Sequence, residues 1–139
     1  MPTDVSAARL QALLDETSFA RMLRVRVEAI GEGSCRISLP FDPHFQRPGG
    51  IVGGLVFVTA ADVATWLAIK TRLGFDDMSV TAEMSTSFLA PLSGGTLFAQ
   101  ARLTKVGRRL INAIAHCEDA AGKMLAQHLV TYARQDSTD

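Results

Sequence analysis

Hydrophobic and polar residues recur with a helical period at the start of the chain and with a strand period soon after it. Residues 6–19 carry leucines and alanines at intervals of three and four, with charged residues between them, which predicts an amphipathic helix within residues 1–20. Residues 25–39 alternate between apolar and polar side chains around a Gly-Glu-Gly turn, which predicts a hairpin. Residues 40–50, with prolines and paired glycines, are expected to form a loop.

The segment 54–73 is apolar on nearly every side instead of along one stripe. This pattern predicts a helix about 28 Å long that other elements surround. A membrane span is disfavoured because Asp62 lies near the centre of the segment, where a carboxylate costs about 2.5–3.5 kcal/mol on insertion. We therefore predict a helix that is buried inside the protein.

Four alternating segments follow, separated by turns, and predict four more strands. The alternation in the first and last of them predicts the following side chains on the covered face: Val80, Ala82, Met84, Phe88, Met124, Ala126, Val130 and Tyr132. The order of elements predicts one α+β domain over residues 1–139, in which a curved antiparallel sheet wraps the long helix. Residues 134–139 are expected to form a disordered tail.

Composition restricts the class of protein. With 47% hydrophobic and 20% charged residues, the chain is predicted to fold as a single domain. Lysine and arginine balance aspartate and glutamate at 14 each, so a nucleic-acid partner is not expected. Cys35 and Cys117 form no metal-ligand or disulfide pattern and are expected in the core. No signal peptide is recognisable, so we expect the cytoplasm and no membrane.

Asp62 is the residue that most strongly suggests chemistry. It lies in the middle of the predicted buried helix, and the residues four positions away on either side, Val58 and Trp66, offer no cation to pair with it. Burying an unpaired carboxylate is costly, and such a group is a candidate general base or nucleophile. The alternative is an inert carboxylate that is hydrogen-bonded at a wet interface.

Glycines surround the start of the same helix, at positions 49, 50, 53 and 54. Glycine lets a ligand approach backbone amides closely, and the positive end of a helix favours developing negative charge. The amides of Gly54 and Leu55 are therefore candidates for an oxyanion hole. The alternative is a loop that requires glycine for positive φ angles. Neither a phosphate-binding nor a dinucleotide-binding glycine motif is present.

Three stretches of the sequence have a distinctive order and spacing. They are RPGGIVGGLVFVTAADVATW at 47–66, VTAEMSTSFLAPLSGG at 80–95 and KVGRRL at 105–110. Together they resemble the hotdog-fold thioesterases of the PaaI-like, phenylacetate-pathway group, and the resemblance extends over residues 20–133. It implies a hotdog fold, with the sheet wrapped around the central helix 54–73, and hydrolysis of an acyl-CoA thioester to free acid and CoA.

The resemblance also implies roles for single residues. Asp62 corresponds to the catalytic general base or nucleophile, Gly54 to the glycine whose amide polarises the thioester carbonyl, and Thr81 to the residue that positions the water or Asp62. Gly53 stands where the group has a histidine, and Arg47 stands where an asparagine is often found, so this chain resembles an RPGG-loop variant. Together with Leu55, these two residues are expected to contact the substrate.

In the family, the active site is shared between two subunits. The resemblance implies a homodimer or homotetramer, in which the glycine loop of one subunit faces Asp62 of the other. Basic residues in the turn at Lys105, Arg108 and Arg109 are expected to bind the phosphates of coenzyme A, and the alternative is a solvated hairpin turn. No metal is expected, and no cofactor besides the coenzyme A that belongs to the substrate.

Two other functions stay open. The missing histidine and asparagine motivate the first, a non-catalytic hotdog protein that binds acyl-CoA. The second is an acyl-CoA hydratase or dehydratase on the same fold, whose chemistry needs a histidine that only His44 is placed to supply. Glu83, a second carboxylate, is expected on a solvated strand face.

Overall fold

The structure is a computed structural model that describes residues 1–135, so residues 136–139 of the predicted tail lie outside it. Within that range the chain forms three α-helices, one short 3-10 helix and eight strands. In chain order they are α1 (Ala7–Glu16), α2 (Ser18–Leu23), β1 (Arg26–Gly31), β2 (Ser34–Pro40), the 3-10 helix (Pro43–Phe45), β3 (Gln46–Arg47), β4 (Ile51–Val52), α3 (Gly54–Leu73), β5 (Val80–Phe88), β6 (Thr96–Val106), β7 (Leu110–Glu118) and β8 (Met124–Ala133).

Six strands form one antiparallel sheet around the central helix α3. Their order is β1-β2-β6-β7-β8-β5, and α3 packs mainly against β6 and β2. The predicted buried helix is confirmed: α3 is long and apolar enough to cross a membrane, but 67% of its apolar stretch is buried inside the fold. The predicted α+β class and the hotdog architecture are confirmed as well. Cys35 and Cys117 are fully buried, as expected.

The predicted N-terminal helix is wrong in its extent, because the chain forms two helices there. Ser6 caps α1 by accepting a hydrogen bond from the Arg9 amide at 3.2 Å. Thr17 is extended, with φ −97° and ψ 115°, and its hydroxyl donates to the Leu13 carbonyl at 2.7 Å, which separates α1 from α2. A hydrogen bond of this kind ends a helix without changing the spacing of the apolar residues. The apolar pattern of the sequence therefore continues across the break.

The predicted covered face of β5 is wrong in part. Val80 and Phe88 are 51% and 56% exposed, because within residues 1–135 β5 is an edge strand that pairs only with β8. A bulge between Thr81 and Glu83 leaves Ala82 exposed and without a paired residue on β8, and it turns Thr81 toward α3. A bulge shifts every later side chain by one face, and alternation alone does not reveal its position.

A second irregularity corrects the predicted position of Met124. The register between β7 and β8 shifts next to Cys117, so Leu125 and Ala126 are both buried and Met124 is exposed. The inward alternation resumes at His128 and continues to Tyr132.

The predicted loop between β2 and α3 contains ordered backbone that fixes the start of α3. The Val52 amide donates to the Leu92 carbonyl at 2.8 Å, and the Gly53 amide donates to the Phe45 carbonyl at 3.0 Å. Gly49 and Gly50 have φ angles of 104° and 74°, so these two positions do require glycine. Gly53, with φ −65°, does not.

Candidate active site

Asp62 lies half-buried on α3 beside the edge strand β5, and its carboxylate is held by two hydroxyl groups. The Thr81 hydroxyl and the Tyr132 phenol each donate a hydrogen bond of 2.7 Å to Oδ1. In the part of the chain that the structure describes, neither a hydrogen bond to Oδ2 nor an ion pair to Asp62 is formed. One carboxylate oxygen is therefore anchored and the other remains available for chemistry.

Tyr132, the only tyrosine of the chain, is not identified as a site residue by the sequence pattern. It lies directly opposite Thr81 in the register between β5 and β8, and both side chains reach α3 from there. Burial, and after it the charge of Asp62, raises the pKa of Tyr132 well above its usual range. One chemical argument indicates its role: a tyrosine on the covered face of a strand needs a hydrogen-bond partner for its hydroxyl group.

The start of α3 forms the second half of the candidate site. Within residues 1–135 the amides of Gly54 and Leu55 have no hydrogen-bond acceptor, whereas the Gly53 amide is engaged by Phe45. The two free amides lie at the positive end of α3. Leu55 is 78% exposed, so this helix start faces solvent in a single protomer.

A cleft of about 340 Å³ opens beside Gly54. Its walls come from the glycine loop, from α3 and from the end of β5: Arg47, Ile51, Val52, Gly54, Phe57, Phe88, Leu89, Ala90 and Pro91. Phe88 lies so near that a Cβ on Gly54 would be 3.0 Å from its ring. The cleft is mostly apolar with one arginine at its rim, which suits an acyl chain carried by an anionic group.

The two halves of the site are separated within one protomer. Gly54 and Asp62 are eight residues apart on α3, which corresponds to about 12 Å along the helix axis. A nucleophile and the atom it attacks need to approach to about 3–3.5 Å. The amides at Gly54 and the carboxylate of Asp62 in one chain therefore cannot act on the same carbonyl group.

The basic turn, residues 105–109, lies near the Asp62 half of the site. Lys105 is exposed at the end of β6, and Arg108 and Arg109 are exposed between β6 and β7. Arg134, the first residue of the predicted tail, extends this basic surface. Its guanidinium donates to the Gly107 carbonyl at 3.1 Å, and its amide donates to the Arg109 carbonyl at 2.8 Å.

The sheet register connects the turn to Asp62 through Tyr132. Ile111, two residues beyond the turn, is paired with Tyr132, whose phenol contacts Asp62.

Other candidates lie away from both halves. The side chain of His44 is 89% exposed, and its Nδ1 contacts Oδ1 of Asp42 at 2.8 Å instead of approaching Asp62. Glu83 is exposed, as expected. Among residues 1–135, no three acidic, histidine or cysteine side chains are grouped closely enough to hold a metal ion.

A buried cysteine and histidine contact each other under the cleft, but they do not form a reactive pair. Cys117 Sγ is 3.5 Å from Nε2 of His128, whose Nδ1 is 2.8 Å from the Thr86 hydroxyl. Burial raises the pKa of Cys117 to about 12 and lowers that of His128 to about 4. At neutral pH both groups are uncharged, so this cluster supplies no thiolate.

Solved structures of other proteins share this fold. The thioesterase HI1161 from Haemophilus influenzae superposes with a TM-score of 0.89 at 20% identity, covering 99% of this chain and 95% of that one. The E. coli PaaI protein from the phenylacetic acid degradation operon superposes with a TM-score of 0.83 at 18% identity, covering 94% and 97%. Both similarities establish the hotdog fold.

Sequence comparison identifies the family. The family model of the thioesterase superfamily matches residues 49–128, which include Gly54, Asp62 and Thr81 but not Arg47 or Tyr132. The protein named "Putative esterase SSO1253" from Saccharolobus solfataricus is 27% identical over 128 residues, covering 92% of this chain and 85% of that protein. The chain belongs to the thioesterase superfamily, and it is an enzyme of the hydrolase class.

Proposed function

We propose that the protein hydrolyses an acyl-CoA thioester to a free acid and coenzyme A, with Asp62 as the general base or nucleophile. The observation that carries the proposal is the carboxylate of Asp62 on α3, beside the edge strand β5: Oδ1 is held by two hydroxyl groups, and Oδ2 accepts no hydrogen bond from residues 1–135. In a thioesterase-superfamily fold, this is the group that can activate water or attack a carbonyl carbon.

The reaction follows from these groups. Asp62 takes a proton from water as the water attacks the thioester carbonyl, or Asp62 attacks that carbon itself and water then hydrolyses the acyl-enzyme. In both cases the carbonyl oxygen gains negative charge, which the free amides at Gly54 and Leu55 stabilise. Collapse of the tetrahedral intermediate breaks the carbon–sulfur bond, and coenzyme A leaves as a thiolate. The thiolate takes a proton from protonated Asp62 in the first route and from solvent in the second.

A second protomer is needed to bring the two halves together. Because β5 has a free edge, another copy can add its own β5 in antiparallel orientation and continue the sheet. Because the bulge leaves Ala82 unpaired, Ser85 is the middle of the paired positions from Thr81 to Phe88. Positions 81, 83 and 84 lie on one side of it, and positions 86, 87 and 88 lie on the other. Pairing Ser85 with the partner's Ser85 places Thr81 opposite the partner's Phe88. Asp62 then faces the partner's Gly54.

Exposed apolar side chains support this pairing. The same register places Val80 opposite the partner's Leu89, and both residues are about half exposed in the single chain. A dimer of this kind covers that apolar surface and completes two identical sites. Exposed Ile114 and Leu129, which are cross-strand neighbours on the outer face of the sheet, offer a surface on which two dimers can form the proposed homotetramer.

Crosslinking tests the register at one position. In Ser85→Cys the two Cα atoms at the two-fold axis fall within disulfide range, so we expect a covalent dimer after oxidation on non-reducing gels. Ser87→Cys is the matched control, because its partner position is displaced by about 13 Å along the strands. The native cysteines are fully buried. A crosslink at position 87 without one at position 85 would show that the register is different.

The basic turn gives the proposed specificity for coenzyme A. Replacing Lys105, Arg108 and Arg109 with glutamine is expected to raise KM for an acyl-CoA about tenfold, because the phosphates lose their cationic partners. KM for the matching acyl-pantetheine, which lacks those phosphates, should stay the same. An equal change for both substrates would assign the turn a role unrelated to phosphate binding.

Release of thiol from acyl-CoAs of several chain lengths decides between the proposed enzyme and a binding protein. We expect free coenzyme A to appear with a thiol reagent. Thermal stabilisation by acyl-CoA without thiol release would instead identify the non-catalytic binder that the absence of the family's histidine suggests.

The cytoplasm is the proposed location, since it fits this substrate and two cysteines that remain free thiols.

A further inference from the structure

We propose that Tyr132 is a positioning residue that holds Asp62 by Oδ1 and thereby makes Oδ2 the oxygen that takes part in catalysis. The inference rests on the proposed thioester hydrolysis and adds to it a residue that neither the resemblance nor the sequence pattern assigns. It also specifies which atom of Asp62 reacts.

The hydrogen bonds at Asp62 are distributed unequally. A hydroxyl group has one proton to donate, and Thr81 and Tyr132 both donate theirs to Oδ1 at 2.7 Å. Oδ2 receives no hydrogen bond from residues 1–135. Two donors on one oxygen match an ionised carboxylate, which has only acceptor atoms, and they leave the lone pairs of Oδ2 free to accept a proton or to attack carbon.

Tyr132 is the firmer of the two anchors. Its ring is buried, and its strand β8 is paired on both sides, with β7 and with β5. Its hydroxyl also lies 3.2 Å from the backbone carbonyl of Asp62, so it contacts the residue at two points. Thr81, in contrast, lies exposed on the edge strand. Rotation of the Asp62 carboxylate would break both hydrogen bonds to Oδ1, and the phenol therefore fixes its orientation before a partner arrives.

The variant Tyr132→Phe removes only the hydroxyl group and tests this role. We expect kcat to fall about tenfold to a hundredfold with KM within about twofold, because the ground-state contacts of the substrate are unchanged.

A control on the same strand separates positioning from stability. Thr131→Val removes a neighbouring hydroxyl that accepts a hydrogen bond from Asn112 at 3.2 Å, so it should lower Tm to a similar degree without changing kcat. If the wild-type enzyme is active and Tyr132→Phe keeps its kcat, the positioning role is wrong while the proposed function stands. A wild-type protein that hydrolyses no thioester would overturn both.

The contact itself has a readout that does not depend on activity. Because Tyr132 donates to Asp62, the losses of unfolding free energy caused by Tyr132→Phe and Asp62→Ala are expected to be non-additive in a double-mutant cycle. Additive losses would show that the two side chains are not coupled and would overturn the inference.

Discussion

Replacing Asp62 with asparagine is expected to lower kcat for thioester hydrolysis by about 100-fold or more. The amide keeps the size of the side chain and one oxygen that can accept from Thr81 and Tyr132. It has no basic oxygen left to take a proton from water or to attack the thioester. Steady-state thiol release from one acyl-CoA measures the effect, and the Tm should change little because Asp62 makes no ion pair with residues 1–135.

Asp76→Asn is the matched control for that variant. Asp76 is an exposed carboxylate in the loop after α3, so the same loss of charge there should leave kcat unchanged. Equal kcat values for Asp62→Asn and the wild-type enzyme would remove Asp62 from the mechanism, while the family assignment would stand.

Removing the amide of Gly54 is expected to have the second-largest effect, a loss of about 100-fold in kcat from one oxyanion donor. Proline at this position deletes the N–H without breaking α3, because the first residue of a helix has no intrahelical acceptor and favours proline. Gly53 already has the extended conformation that a residue before proline needs, with φ −65° and ψ 145°.

Gly54→Ala is the control that separates the amide from the shape of the cleft. Both substitutions add a Cβ about 3.0 Å from the exposed ring of Phe88, which can move away, but only proline removes the donor. We expect Gly54→Ala to keep most of the kcat that Gly54→Pro loses. Similar losses in the two variants would assign the effect to crowding at Phe88 instead of to the oxyanion hole.

The sequence predicts the main elements of this fold because burial gives the apolar residues of each helix and strand a regular spacing. The strands β6 and β7 alternate as expected, and α3 is apolar all round because the sheet covers most of it. The break at Thr17 and the bulge at Ala82 escape prediction for the same physical reason. Each depends on a local change in hydrogen bonding, by the Thr17 side chain in one case and in the strand register in the other, and neither changes the apolar pattern.

The candidate site is predictable only where its residues lie close together in sequence. Asp62 and the glycines share one helix and its entrance, so spacing and apolar surroundings indicate them. Tyr132 is 70 positions away from Asp62, and only the register between β5 and β8 brings the two together. Arg134, the first residue of the predicted tail, likewise joins the basic turn because it directly follows the end of β8.

Mixing two inactive variants tests the shared site most directly. Asp62→Asn and Gly54→Pro, unfolded and refolded together in equal amounts, form mixed dimers in which one of the two sites has both an intact Asp62 and an intact Gly54. Random pairing then predicts recovery of about a quarter of the wild-type activity. Activity no higher than that of the separate variants, in a sample that contains mixed dimers, would contradict the account.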